Sequence, residues 1–286
     1  MRWLVTGAGG MLGRDTVEEL TRRGEQVIAL DRAALDITDP DAVDAALAGH
    51  RPDLVVNCAA YTAVDDAESD EKQALRINGD GPRHLARACA AQGSRLVHVS
   101  TDYVFSGDAR DTPYAEDHPP APRTAYGRTK LAGEQAVLEE LPDAAAVLRT
   151  AWLYGAHGRN FVSTMIALEG TRDTLDVVDD QRGQPTWSAD VATRIADLGP
   201  RLGRDVNGVF HATSSGETTW YALAREVFRH LGADPDRVRP VDSAAFPRPA
   251  PRPAYSALGH ARWEQAGLAP IRDWREALTA AFPSLA

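Results

Sequence analysis

Cysteine is scarce in this sequence, and long apolar runs are missing. The chain has two cysteines, Cys58 and Cys89, in 286 residues, and their separation does not suit a metal centre. We expect both to be small buried apolar residues of a reducing compartment. No apolar run approaches the ~18 residues of a membrane span, and the N-terminus enters a strand without signal-peptide features. These absences predict a cytoplasmic protein with no membrane partner.

Positive charge is also in short supply. The sequence has 31 lysine and arginine residues against 41 aspartate and glutamate residues, which gives a net charge of -10. Broad binding to nucleic acid requires clustered basic residues, so no nucleic acid partner is expected. A small anionic ligand is compatible with this charge, because a helix N-terminus or a local basic side chain is sufficient to bind it.

A glycine-rich turn follows the first apolar run. Residues 2–6 are followed by Gly7, Gly10 and Gly13, then by a helical pattern, a second apolar run over 26–30 and Asp31. This order is typical of a dinucleotide-binding fold, in which the glycines let the backbone approach a pyrophosphate at the helix N-terminus. Asp31 favours NADH because its carboxylate can accept from ribose hydroxyls. Arg32 favours NADPH because it can pair with a 2′-phosphate, so both cofactors stay open.

The order of apolar runs predicts an α/β protein. Predicted strands over 2–6, 26–30, 53–60, 95–105 and 144–149 alternate with helices, one of which is expected over 68–92. This alternation favours a Rossmann-type, doubly wound parallel sheet with helices on both faces. Composition changes after Thr150. We predict an NAD(P)-binding domain over 1–151 plus roughly 187–210, and a smaller C-terminal α+β substrate lobe over roughly 152–186 and 211–286.

A tyrosine and a lysine four residues apart form the central candidate for catalysis. On a helix, Tyr126 and Lys130 lie on the same face. A neighbouring ammonium group lowers the pKa of a phenol and makes it a better general acid near neutral pH. Thr101 ends a predicted strand, where open α/β sheets bind ligands, and its hydroxyl can hold a substrate oxygen beside Tyr126. A chance pair on a solvated helix is the alternative, and the dinucleotide turn upstream favours the functional interpretation.

Polar and planar side chains are concentrated between residues 152 and 187. Amides, arginine and indole groups suit a sugar or a nucleotide, because they can bind hydroxyls, phosphate and a ring face. A proline-rich loop over 246–253 is expected to lie over the substrate.

Several longer strings resemble one family. They are NCAAYTAVD at 57–65, STDYVF at 100–105, DQRGQPT at 180–186, and GVFH at 208–211 followed by Trp220 and Tyr221. With the glycine turn and the Tyr126–Lys130 pair, they are similar to the extended short-chain dehydrogenase/reductases. The resemblance, over 1–258, is to the dTDP-4-dehydrorhamnose reductase family. It implies NADPH- or NADH-dependent reduction of the C4 keto group of dTDP-4-dehydro-L-rhamnose to dTDP-L-rhamnose.

The resemblance also implies roles for individual residues. Tyr126 would protonate the C4 keto oxygen, Thr101 would hydrogen-bond the same oxygen, and Lys130 would lower the pKa of Tyr126 and hold the nicotinamide ribose. The implied cofactor site consists of Gly7, Gly10, Met11, Leu12, Gly13, Asp31, Arg32, Asp36, Ile37, Ala60, Tyr61, Thr62, Tyr126 and Lys130. The implied substrate contacts are Thr101, Asp102, Tyr103, Trp152, Asn160, Arg182 and Arg252.

Several expectations concern the substrate and the assembly. The substrate is expected to be a dTDP-4-keto-6-deoxy sugar, and the protein a monomer or a homodimer. Some family members dimerise through magnesium, so Mg²⁺ is a candidate ion at a dimer interface, with no metal at the active site. Asp66 stands where the family often has lysine. The alternatives are a 4-ketoreductase for another dTDP-deoxysugar of an antibiotic pathway, an epimerase, and a non-catalytic dinucleotide-binding regulatory subunit.

Overall fold

Strands and helices alternate along most of the chain in this computed structural model, which describes residues 1–108 and 112–285. The strands are β1 Arg2–Thr6, β2 Gln26–Leu30, β3 Leu54–Asn57, β4 Arg95–Thr101, β5 Ala145–Thr150, β6 Leu153–Tyr154, β7 Leu175–Val178, β8 Arg182–Gly183, β9 Thr186–Trp187, β10 Gly208–His211, β11 Ser214–Ser215, β12 Thr218–Thr219, β13 Val238–Val241 and β14 Ile271–Asp273. The α-helices are α1 Met11–Arg22, α2 Pro40–His50, α3 Glu71–Leu75, α4 Gly81–Gln92, α5 Ala125–Glu140, α6 Phe161–Glu169, α7 Ser188–Leu198, α8 Trp220–His230, α9 Ala261–Gln265 and α10 Trp274–Ala281.

A six-stranded parallel sheet forms the centre, in the order β10-β5-β4-β3-β1-β2. Successive side chains of β1 enter opposite cores: Trp3 packs with Ile195 of α7, and Leu4 packs with Leu47 of α2 and Leu85 of α4. Because both faces are covered, β3 and β5 are buried throughout, and both are apolar except for the polar residues at their carboxyl ends. The predicted Rossmann-type fold is confirmed.

The strand order reverses between β1 and β3, since the chain builds outward from β1 in both directions. A crevice opens at such a point beyond the carboxyl ends of the strands, and open α/β sheets bind ligands there. The glycine turn follows β1, and the segment 58–62 follows β3, so both border this crevice.

The predicted helix over 68–92 is interrupted. A 3₁₀ turn at Asp66–Glu68 precedes α3, and a π-helical turn at Arg76–Asp80 separates α3 from α4. Pro82 explains the interruption, because it has no N–H to donate to the carbonyl of Asn78. The backbone N–H of Gly81 instead donates to the carbonyl of Arg76, five residues back. Helix α5 approaches at Gly133, where a Cβ atom would overlap the Asn78 carbonyl oxygen.

The C-terminal half contains a third apolar core and short strands. Tyr154, Leu223, Phe228 and Trp274 belong to this core, which packs α6, α8 and α10 together. The short strands pair as β6–β9, β7–β13 and β11–β14 in parallel and β8–β12 antiparallel. The sequence did not predict these short strands, because two to four residues are too few to show the alternation of apolar and polar side chains that identifies a strand. The division into two domains remains a prediction. Among the described residues, no helix combines the length and apolarity that a membrane span requires.

Candidate active site

The glycine turn presents unobstructed backbone to the crevice. Gly7 has a φ of 65°, and a Cβ atom there would lie 2.5 Å from the backbone nitrogen of Ala59. At Gly13, a Cβ atom would overlap the carbonyl oxygen of Gly7. Helix α1 begins after Gly10, which has no capping side chain, so the N–H groups of its first turn are available to an anion. These features fit a dinucleotide pyrophosphate.

A cavity of about 1020 Å³ extends from this turn to Tyr126 and Lys130. All the predicted cofactor residues line it except Tyr61, whose backbone N–H donates to Asn78 Oδ1 at 2.8 Å. Asn78 thereby fixes the loop that carries Ala60 and Thr62. The predicted set does not contain several other lining residues, which include Cys58, Ala59, Arg76, Ile77, Val99, Ser100, His157, Gly158 and Arg159. Among them, Arg76 lies in the π-helical turn, and no local sequence pattern predicted that turn.

Asp31 and Arg32, which were predicted to select the cofactor, both lie at the cavity wall. Asp31 Oδ1 accepts from the backbone N–H groups of Ala33 and Ala34, both at 3.0 Å. Arg32 lies in the same wall as Arg76. Both guanidinium groups act on the carboxylate of Asp36. Hydrogen bonds from Thr38 lower the pKa of Asp36, and the charges of Arg32 and Arg76 lower it further.

Thr101 and Tyr126 are brought together by the start of α5. Thr124 caps this helix by accepting from Gly127 N at 3.0 Å, and Glu68 accepts from Ala125 N at 2.8 Å. At Gly127 a Cβ atom would overlap the Tyr103 carbonyl oxygen, so glycine lets α5 approach the turn after β4. Tyr126 and Thr101 consequently lie in the wall of one cavity, with the phenol beside Thr101. The edge-to-face contact of its ring with Tyr103, at 5.6 Å between centroids, fixes the ring orientation.

Burial dominates the pKa values of Tyr126 and Lys130. It raises the pKa of Tyr126 to about 12, with the Thr101 hydrogen bond opposing and the Asp102 charge adding to the rise. Burial also lowers the pKa of Lys130 to about 8, although the charge of Glu134 opposes this. Lys130 donates to the carbonyl of Val99 at 2.6 Å. The expected lowering of the Tyr126 pKa by Lys130 is therefore not found: desolvation of the phenolate sets the direction of the shift, and Lys130 is not among its causes. Tyr126 is a protonated donor at neutral pH.

A buried ion pair lies one turn beyond Lys130. Arg149 of β5 donates to both carboxylate oxygens of Glu134, at 2.9 and 2.7 Å, and both side chains are almost fully buried. The Arg149 guanidinium also lies over the ring of Phe105. This pair fixes α5 against the sheet at the level of the catalytic residues.

A second cavity, of about 910 Å³, lies on the other side of Tyr126. Its wall includes five of the predicted substrate residues, namely Thr101, Asp102, Tyr103, Trp152 and Arg252. Burial raises the pKa of Asp102 to about 6, opposed by hydrogen bonds from Ser256 and Thr101. Trp152 has a φ of 47° and stacks on Trp220 with 3.5 Å between ring centroids. The aromatic pair gives this cavity a flat apolar wall.

Two predicted substrate residues lie outside this wall, and a third is engaged elsewhere. Asn160 caps α6 by accepting from Ser163 N, and its amide nitrogen donates to the Gly155 and Gly158 carbonyls. Arg182 pairs with Glu217 at 2.6 Å and lines a smaller neighbouring cavity. Arg252 directs its guanidinium to Asp65. The side chain of Asn160 thus bonds the backbone at the start of α6 and in the turn before it, which is a structural role.

One group of side chains has metal-ligand spacing. Within the described ranges, the ligand atoms of Asp15, Glu18 and His157 lie within 4.8 Å of one another. Asp15 already accepts a hydrogen bond from Ser188, and His157 Nε2 lies 3.1 Å from Glu18. These hydrogen bonds satisfy the three side chains without an ion. The expected Mg²⁺ at a dimer interface stays a prediction.

Comparison with known proteins extends over the whole chain. The family model described as the RmlD substrate binding domain matches residues 1–286. A probable dTDP-4,6-dihydroxy-2-methyloxan-3-one 4-ketoreductase of Streptomyces antibioticus is 63% identical, over 100% of this chain and 96% of its own length. The dTDP-4-dehydrorhamnose reductase of Streptomyces griseus is 60% identical, over 99% of this chain and 94% of its own.

A solved structure gives the same result. The dTDP-4-dehydrorhamnose reductase of Bacillus anthracis, in complex with NADP, superposes with a TM-score of 0.94 at 38% identity and covers 99% of this chain and 98% of its own. The family resemblance inferred from the motifs is confirmed. Fold, motifs and full-length similarity agree that the chain belongs to the RmlD substrate-binding domain family, the family of the dTDP-4-dehydrorhamnose reductases.

Proposed function

We propose that this protein reduces the C4 keto group of dTDP-4-dehydro-L-rhamnose to the hydroxyl of dTDP-L-rhamnose, with a nicotinamide cofactor as reductant. The position of Tyr126 carries this proposal. Its side chain lines both the cavity at the glycine turn and the cavity at Trp152. A cofactor in the first cavity and a sugar in the second would therefore meet at one phenol, and Thr101 lines the second cavity beside it.

The side chains at this junction divide the remaining chemistry. A bound nicotinamide supplies the hydride for the carbonyl carbon. Tyr126 donates its phenolic proton to the carbonyl oxygen, and Thr101 stabilises the charge that develops there. The pKa of Tyr126, about 12, keeps this proton in place until the oxygen becomes basic. Lys130 orients the cofactor ribose and supplies positive charge near the reacting oxygen. The carbon gains a hydride, the oxygen gains a proton, and the ketone becomes an alcohol.

We further propose that NADPH is the preferred cofactor. Arg32 and Arg76 line the cavity together and both act on Asp36, so a 2′-phosphate there would meet two cations. Fluorescence titrations of the Arg32→Ala and Arg76→Ala variants should show weaker NADPH binding, with NADH binding almost unchanged. Equal weakening for both cofactors would contradict this assignment.

A 4-ketoreductase for another dTDP-keto sugar is the second candidate. The 63% identity to a probable 4-ketoreductase that is named for a different keto sugar favours it. A panel of dTDP-4-keto sugars, with NADPH consumption and product stereochemistry by NMR, tests both candidates. Fastest turnover of dTDP-4-dehydro-L-rhamnose to the L-rhamno product supports the first candidate. Turnover of none supports a non-catalytic dinucleotide-binding protein, which the intact set Thr101, Tyr126 and Lys130 argues against.

A further inference from the structure

A segment of alternating prolines lines the cavity proposed for the sugar nucleotide. Residues 247–253 read PRPAPRP and are called the proline strap here. Six of its seven residues, all except Pro249, line the cavity that Thr101 and Tyr126 also line. Four prolines leave three backbone N–H groups, so this segment cannot be fixed by a regular hydrogen-bond ladder. Its position must depend on packing and on a few side-chain bonds.

Those bonds converge on one carboxylate. Asp65 Oδ1 accepts from Arg252 Nη1 at 2.8 Å and from the backbone nitrogen of Ala250 at 3.2 Å. Asp65 Oδ2 accepts from Arg252 Nη2 at 2.8 Å. Arg252 Nη1 also donates to the Ala250 carbonyl at 2.8 Å, which closes the strap on itself. Across 1–108 and 112–285, every described hydrogen bond that joins the proline strap to the rest of the protein ends at Asp65.

Asp65 belongs to the loop that borders both cavities. Ala60 and Thr62 of this loop line the cofactor cavity, and Val64 lines the sugar cavity. The loop is itself fixed, because Asn78 binds both backbone groups of Tyr61. A bidentate arginine–carboxylate contact holds its partners in one relative orientation. The Asp65 carboxylate therefore fastens the proline strap to a rigid part of the cofactor site.

We propose that Asp65 and Arg252 are positioning residues, which hold the proline strap as a wall of the sugar-nucleotide cavity and thereby set substrate affinity. The proposal rests on the proposed function for the identity of the ligand. It assigns Arg252 a role different from that of a direct substrate contact, because both of its terminal nitrogens bind Asp65. Neither residue participates in the proton transfer at Tyr126.

A double-mutant cycle separates the two roles of Arg252. We expect Asp65→Asn and Arg252→Gln each to raise KM for the keto sugar about tenfold, with kcat within about twofold. The double variant should be no worse than either single variant, because both changes open the same contact. Asp65→Glu, which keeps the charge, should restore part of the affinity. A large effect of Arg252→Gln with normal KM in Asp65→Asn would show a direct contact with substrate and overturn the proposal.

A matched control is available in another arginine–aspartate fork. Arg272 binds both carboxylate oxygens of Asp190, at 2.9 and 2.7 Å, away from the proline strap. Asp190→Asn should leave KM for the keto sugar unchanged. An equal rise in KM in this variant would mean that loss of any such fork loosens the protein, and the proposal would fail.

Two readouts do not depend on turnover. The Ala250 amide, followed by hydrogen exchange, should exchange at least about tenfold faster in Asp65→Asn, because its acceptor is weakened. Binding of dTDP in the presence of NADPH should weaken in parallel. If wild-type protein reduces no keto sugar, the proposed function fails while these measurements still test the contact. Unchanged Ala250 exchange in Asp65→Asn would refute the positioning role alone.

Discussion

Lys130 should cost the protein stability while it serves catalysis. Its side chain is 2% exposed, and burial lowers its pKa from 10.5 to about 8. At ~1.4 kcal/mol for each pH unit, this difference means that burying the charged form costs about 3 kcal/mol at pH 7. Lys130→Met removes the charge and keeps a similar length of apolar chain. It also removes a donor from the Val99 carbonyl, a loss of about 1 kcal/mol.

The expected result is a more stable, inactive protein. Lys130→Met should raise the free energy of unfolding at pH 7 by about 2 kcal/mol, the difference between the two effects. The size of this difference depends on pH in a defined way. Below the folded-state pKa of about 8, both states hold the proton and the full cost applies. Between about 8 and 10.5 the folded state releases its proton first, so wild-type stability rises and the advantage of the variant shrinks.

Urea denaturation without cofactor, at pH 7 and pH 9.5, measures both effects. The chain has one other lysine, Lys72, which is exposed and serves as the matched control. Lys72→Met should change stability by less than about 0.5 kcal/mol at either pH. A Lys130→Met protein that is less stable than wild type at pH 7, or whose advantage persists unchanged at pH 9.5, would refute the reasoning.

The other predictions concern the neighbours of Lys130. Tyr126→Phe should lower kcat at least ~100-fold, which is the scale of a lost general acid. KM should change little, because the phenylalanine ring keeps the contact with Tyr103. Turnover near the wild-type rate in an NADPH absorbance assay would contradict the role of Tyr126. Glu134→Gln should lower the free energy of unfolding by about 3 kcal/mol or more, because it leaves the buried Arg149 unpaired, whereas Glu134→Leu with Arg149→Met should cost less. Equal losses in the single and double variants by urea denaturation would count against the buried pair.

The sequence predicted the parts of the site that depend on local pattern. The spacing of the glycines predicted the turn, because glycine is needed where the backbone of a neighbouring segment leaves no room for a Cβ atom, as at Gly7. The i,i+4 spacing put Tyr126 and Lys130 on one helix face, and a strand end put Thr101 beside them. These features need only the chain within a few turns, together with the general rule for where open sheets bind ligands.

Residues whose roles depend on distant partners escaped prediction. Arg76 enters the cofactor cavity through a π-helical turn caused by Pro82 and accommodated by Gly133, so its position depends on two separate segments. Arg252 was predicted to contact substrate from the family resemblance. Its partner, Asp65, lies 187 residues earlier in the chain, and no spacing connects them. The direction of the Tyr126 pKa was missed for the same reason, since burial is set by tertiary packing.

Three ionisable residues on the inner face of α5 explain how the charge of Lys130 is tolerated in the core. Tyr126, Lys130 and Glu134 follow one another at four-residue spacing, so they form one stripe on the face that meets β4 and β5. Burial acts against the charged forms of Tyr126 and Lys130, and all three side chains have a partner on the sheet: Thr101 for the phenol, the Val99 carbonyl for the ammonium and Arg149 for the carboxylate. Glu134 in turn raises the pKa of Lys130, which keeps the ammonium charged near neutral pH. The Glu134–Arg149 pair thus helps to keep Lys130 charged in the core, one turn from Tyr126.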